Sequence, residues 1–202
     1  LKSIEKILDD KQQLAALIPF YEKDLGNATK LLLTSGQEIL YPHSIDAALK
    51  ALCSYYALHL RLLRRKQQSL LNCKYYTPLP IHKELLLFPI KTRVPKIKND
   101  SSIGYINYLQ VKKVDYSQSA IQLNNGQTIY SLNTPGTLKK RYNQVLLSAK
   151  YYEENHPSEA YVSESRVEYL YPLTKRDMEP LVRELTSIRN MLAALLTLPA
   201  KK

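Results

Sequence analysis

The feature that most limits what this chain can fold into is a pattern that occurs twice. Lys30-Leu31-Leu32-Leu33 and Glu38-Ile39-Leu40-Tyr41 flank Ser35-Gly36, while Ala120-Ile121-Gln122-Leu123 and Thr128-Ile129-Tyr130 flank Asn125-Gly126. Short apolar runs on either side of a glycine that readily takes a positive φ read as β-hairpins, and Asn-Gly is the strongest such signal here. Each hairpin then runs into a helix start. Ser44 follows Pro42 as an N-cap, with Asp46 near the positive end of the helix dipole, and Thr134-Pro135 supplies a cap and a first helical residue. Aligning Gly36 with Gly126 pairs Gln37 with Gln127 and Ile39 with Ile129; a one-residue gap decides whether Leu49 meets Thr137 or Leu138 and brings Lys50 to Lys139. The chain reads as two β-hairpin-plus-helix units with small antiparallel sheets, an α+β fold.

The remaining elements fit around these units. Leu14 to Phe20 is a short apolar run and predicts a strand, as does Glu84 to Pro89. Ile45, Leu49, Leu52, Tyr56, Leu60 and Leu63 recur at helical spacing and predict one helix from about Ile45 to about Leu71, followed by a loop. Alternation from Gly104 to Val114 predicts a single strand. Leu138, Tyr142, Val145, Leu146, Ala149 and Tyr152 form the stripe of the second helix. A polar, acidic linker follows Glu153, and Leu181, Val182, Leu185, Ile188, Leu192 and Leu195 predict a C-terminal amphipathic helix over Met178 to Leu196, either docked on the domain or dimerising. The division expected is a segment over 1–12, a main region over 13–155 and a tail over 156–202.

Charge bears on function once it is mapped. The net charge is +11, yet residues 1–30 net zero and residues 153–202 net −1; residues 31–152 hold seventeen basic against five acidic residues. A field confined to the middle of the chain suits a polyanion, and nucleic acid leads because no helix combines a bulky apolar face with a fully basic one. Arg61, Arg64 and Arg65 share a helix face at i, i+3 and i+4, with Lys50 and Ser54 further back along it. Lys91, Arg93, Lys96 and Lys98 lie on an apolar-poor loop. Flexible arginine and lysine side chains suit a narrow, electronegative groove. Lys112 and Lys113 complete the candidate DNA contacts.

The sequence offers no Gly-rich phosphate loop, no nucleophile elbow and no paired metal-ligand spacing, and His43, His59, His82 and His156 are too scattered for a metal cluster. No enzyme, cofactor or metal is expected. Cys53 and Cys73 read as reduced thiols, and most of the sixteen tyrosines as core packing.

Several segments, in order, resemble the ComK family of competence transcription factors. They are Ala15-Ala16-Leu17-Ile18-Pro19, Cys53-Ser54-Tyr55-Tyr56, Leu87-Phe88-Pro89, Gly104-Tyr105-Ile106-Asn107 with Val111-Lys112, Asn125-Gly126-Gln127-Thr128, and Tyr169-Leu170-Tyr171-Pro172. The likeness spans about residues 13–190. Tyr105 stands where the family has Trp, Ile103 where it often has Cys, and Leu62 and Arg64 depart from its Gly-Arg motif. The resemblance implies a nucleoid-associated activator of competence-type genes that binds A/T-rich boxes, largely through the minor groove, as a homo-oligomer. The charged start and the lack of an apolar run of transmembrane length lead to the expectation of a cytoplasmic protein with no membrane partner. The resemblance also implies that Glu168, Tyr169, Leu170, Tyr171 and Pro172 dock a degradation adaptor of the MecA type, which delivers the chain to ClpC. Tyr105-Ile106-Asn107-Tyr108-Leu109 before a hairpin also resembles a LytTR-type DNA-binding regulator, and an RNA- or protein-binding module is the alternative from another class.

Overall fold

The computed structural model describes residues 4, 13–23, 25–98, 100–155, 185–186 and 188–189. The chain divides into two units, Leu1–Ser158 and Glu159–Lys202. The first is built of β1 (Leu14–Glu22), β2 (Gly26–Leu33), β3 (Glu38–Tyr41), α1 (Ile45–Tyr55), α2 (Leu60–Leu70), β4 (Leu79–His82), β5 (Leu85–Lys91), β6 (Ile103–Asn107), β7 (Val111–Asp115), β8 (Ala120–Leu123), β9 (Thr128–Tyr130) and α3 (Pro135–Asn155). The expected α+β class with antiparallel sheets is what the structure shows.

A six-stranded antiparallel sheet, in the order β3-β2-β1-β6-β5-β4, is the central layer. Leu17, Leu31, Leu33, Leu85, Leu87 and Tyr105 pack from one face against Ile45, Leu49 and Leu52 of α1 and Leu60 of α2. Ala16, Leu32, Leu86, Phe88, Ile90 and Ile106 pack from the other face against the β7-β8-β9 sheet and Leu138, Val145 and Ala149 of α3. Strands covered on both faces carry unbroken apolar runs, because successive side chains point to opposite sides and neither side meets water. This accounts for Leu85-Leu86-Leu87-Phe88.

The repeat read from the turns extends through the backbone. Leu31 faces Ile39 across the first hairpin and Ile121 faces Ile129 across the second, so both strands keep an offset of 90 residues. The preceding strand repeats too: β1 and β7 each carry a register shift at the same place, between Leu14 and Ala16 opposite Leu33, and between Val111 and Lys113 opposite Leu123. In both turns the glycine N–H donates to the residue three back (Gly36 to Leu33 O, 2.9 Å; Gly126 to Leu123 O, 3.0 Å). Only the glycines in these turns have positive φ, 86° each. These are three-residue loops closing on a glycine bulge, and not the two-residue Asn-Gly turn, which needs positive φ at both central residues. Ser44 and Thr134 then cap α1 and α3 through their hydroxyls, accepting from Ala47 N and Thr137 N, again 90 apart. The alignment therefore needs no gap, and Lys50 corresponds to Lys140.

Three sequence expectations need correction. The helix expected over Ile45–Leu71 is two helices. Ala57 takes φ 53°, with its N–H on Ser54 O and the Leu58 N–H on Cys53 O. This double bond ends a helix in the left-handed conformation that glycine usually supplies, at a cost of about 1 kcal/mol for an alanine. Lys50 and Ser54 thus do not continue the arginine face of α2. The expected loop before β5 contains β4, whose Pro80 is tolerated because β4 lies at the sheet edge. The strand expected over Gly104–Val114 is broken at Tyr108–Gln110, a 3-10 turn that passes the chain from the large sheet to the small one. The cause is Asn107, fully buried, whose amide donates to Leu14 O and Glu84 O at 3.0 Å each and accepts from Leu86 N and Leu109 N at 3.3 Å each. Of the expected C-terminal helix, Leu185, Thr186, Ile188 and Arg189 are helical and exposed; its other residues lie outside the described residues.

Candidate nucleic-acid interface

The charge excess of residues 31–152 is almost uncompensated in the fold. Among the described residues, only Arg64 and Lys150 of its cations enter an ion pair, and the Lys150–Glu154 contact is 4.0 Å long and exposed. The acids are engaged elsewhere: Glu38 pairs with Lys30, Glu84 accepts from Gln13, and Asp100 and Asp115 hold loop groups. The surface is therefore set to attract anions.

On α2 the arginine triplet divides. Arg61 and Arg65 are exposed. Arg64 instead bridges Asp46 of α1 at 3.1 Å and the Tyr105 hydroxyl of β6 at 3.4 Å. Burial by itself would lower the pKa of Arg64, but Tyr105 and Asp46 outweigh it and hold it above its ordinary value. Arg64 belongs to the scaffold that seats α2, and Arg61 and Arg65 are the side chains it presents. Cys53, beneath the same helix, is buried, and burial raises its thiol to about 11, so it is an unreactive core group.

The loop between β5 and β6 is anchored and not freely flexible. Tyr21 donates to Asp100 (2.8 Å) and accepts the Lys96 N–H (2.7 Å), while Asn27 donates to Asp100 (3.0 Å). Arg93 donates to Asn27 Oδ1 (2.7 Å) and Ser101 O (2.8 Å), and its guanidinium lies 4.2 Å from the Tyr21 ring centre. Arg93 is thus a clamp on the β1–β2 turn, which corrects its expected role as a side chain free to enter a groove. Lys96 Nζ lies 5.2 Å from the same ring centre, and Lys96 and Lys98 are exposed. A hollow of about 340 Å³ lined by Arg64, Gln68, Ser101 and Tyr105 places α2 beside the end of this loop. Arg61, Arg65, Lys96 and Lys98 are thus exposed on two elements that meet at this hollow, whose lining includes none of the four.

Lys112 and Lys113 do not join it. They are exposed on β7, which packs over the opposite face of the central sheet, together with α3. Lys91 ends β5, its N–H and carbonyl held by Asn133 and Leu132. Sequence reasoning missed Arg141 of α3, which donates to the Tyr75 and Tyr76 carbonyls (3.2 and 3.0 Å), 65 residues and more away in the chain. Among the described tyrosines Tyr105 is buried and Tyr41, Tyr56, Tyr108, Tyr116 and Tyr142 pack partly buried against the two cores, as expected, whereas Tyr75, Tyr76 and Tyr130 are at least half exposed. Among the described residues no cluster of His, Cys, Asp and Glu could hold a metal, and no helix is long and apolar enough to cross a membrane.

The segment Glu168-Tyr169-Leu170-Tyr171-Pro172 lies outside the described residues. No family model matches the chain, and neither a curated protein nor a solved structure matches it.

Proposed function

We propose that the chain is a duplex-DNA-binding transcriptional activator of the competence type, preferring A/T-rich sites and acting as a homo-oligomer. The observation that supports this reading is the concentration of exposed cations outside ion pairs on α2 and the adjoining loop, while the five acids of residues 31–152 have partners within the fold. Arginines on a rigid helix suit phosphates, which set register, and the exposed lysines of the anchored loop suit an adjacent groove. The resemblance to ComK, carried by motifs in consistent order, supplies the competence context and the nucleoid location. Gel-shift titration against A/T-rich duplex, G/C-rich duplex and single-stranded RNA tests it. Tightest binding to the A/T-rich duplex is expected; with about six phosphates neutralised, log K falls with log salt at a slope of roughly −5. Equal affinity for the three, or a flat salt response, rejects the proposal.

The tail carries the second half of the proposal. Tyr169, Leu170 and Tyr171 offer anchors for a degradation adaptor, with Pro172 limiting the ordering cost. Deleting residues 165–202 is expected to stop adaptor-dependent proteolysis and leave DNA binding intact. Unchanged proteolysis of the truncated chain rejects the docking role.

A further inference from the structure

Two hollows meet at Tyr76. One, about 260 Å³, is lined by Lys91, Arg141, Ser102, Asn133 and Thr137; the other, about 340 Å³, by Tyr75, Tyr105, Asp46 and Gln68; Tyr76 and Ile103 line both. The smaller contains no carboxylate among its lining residues. Its Arg141 is half-buried and satisfied only through Nη1, which donates to the Tyr75 and Tyr76 carbonyls and to Gln144 Oε1. Among the described residues Nε and Nη2 make no hydrogen bond, although the guanidinium lies 5.1 Å from the Tyr76 ring centre, and the ammonium of Lys91 makes neither a hydrogen bond nor an ion pair. Burial lowers the Arg141 pKa, the consequence of desolvating a cation with no anion beside it. At the junction Tyr76 holds φ 57°, an uncommon and strained conformation for a bulky residue, kept in place by the arginine on its carbonyl.

We propose that these joined hollows form a binding site for a nucleoside monophosphate. The terminal phosphate lies between Lys91 and Arg141, within reach of the Ser102 and Thr137 hydroxyls. A guanidinium with free N–H groups and an ammonium suit a phosphate dianion. The base extends past Tyr76 into the larger hollow, where tyrosine rings offer apolar surface and Asp46 and Gln68 offer hydrogen-bonding partners for its ring edge. Together the two hollows fall within the size range of small-ligand sites, roughly 300–1,000 Å³. Such a ligand would bridge α2, the loop after it, β6 and α3.

Calorimetric titration of the full chain with adenosine monophosphate, adenosine, inorganic phosphate and sulfate tests the assignment. The monophosphate is expected to bind tighter than either fragment or sulfate. Arg141→Gln and Lys91→Gln are each expected to weaken it by about 10- to 100-fold, the effect of losing a charge-assisted hydrogen bond. Arg141→Gln also loosens the strained turn. Lys91→Gln leaves the backbone bonds of β5 in place, so its loss of binding with an unchanged melting curve is the decisive supporting result. No binding of the monophosphate at about 10 mM, affinity equal to that for sulfate, or unchanged affinity in both variants overturns the proposal. Competitive displacement of the monophosphate by A/T-rich duplex assigns the phosphate to DNA and overturns the small-molecule site.

Discussion

Replacing Asn107 by Leu is expected to cost about 3–5 kcal/mol of folding stability, a large share of the roughly 5–15 kcal/mol available to a domain. The side chain is fully buried and satisfies two carbonyls and two N–H groups drawn from β1, the β4–β5 turn, β5 and the β6–β7 corner. An apolar replacement of similar size fills the space but leaves Leu14 O, Glu84 O and Leu86 N without partners, at about 1–3 kcal/mol each for a buried group. Asn107→Asp is expected to be as harmful, since a carboxylate cannot donate to the two carbonyls and would be buried without a cation. Urea unfolding followed by circular dichroism measures both. A loss below about 1 kcal/mol in the Leu variant would show that water or backbone movement replaces the amide.

The same residue shows where the sequence could be read and where it could not. The hairpins were legible because each glycine must supply the positive φ that closes the loop, and because the caps Ser44 and Thr134 act on residues three away. Local chemistry of that kind is written in consecutive residues. The corner at Asn107 was not legible, because an asparagine in an alternating run reads as one more strand residue, and its partner Leu14 lies 93 residues away. The break after α1 was hidden because an alanine occupies the left-handed position. At the candidate interface, the charge excess was visible by counting, but its division was not. Arg64 is withdrawn by Asp46, and Arg93 by Tyr21 and Asn27, through contacts 18 to 72 residues apart that no helical or strand period encodes.

That division sets the second large expected effect. A chain carrying Arg61→Gln, Arg65→Gln, Lys96→Gln and Lys98→Gln is expected to bind A/T-rich duplex about a thousandfold more weakly at ~0.15 M salt, because each cation lost, on a phosphate or in the groove between the phosphate rows, forgoes counterion release and removes about 0.9 log(1/[salt]) from log K. The salt slope should become shallower by about 3 to 4 for the same reason. Stability should change little. The four side chains are exposed, and the one contact they lose, Lys96 over Tyr21, leaves the Lys96 N–H on the tyrosine hydroxyl. Arg93→Ala and Arg64→Ala should behave in the opposite way, lowering the unfolding midpoint more than the affinity per folded molecule, since both are held by partners in the fold. A folded quadruple variant with undiminished affinity and an unchanged slope would place the DNA surface elsewhere. Lys112 and Lys113 on β7, with Lys139 and Lys140 on α3, would then be the exposed cations to replace next.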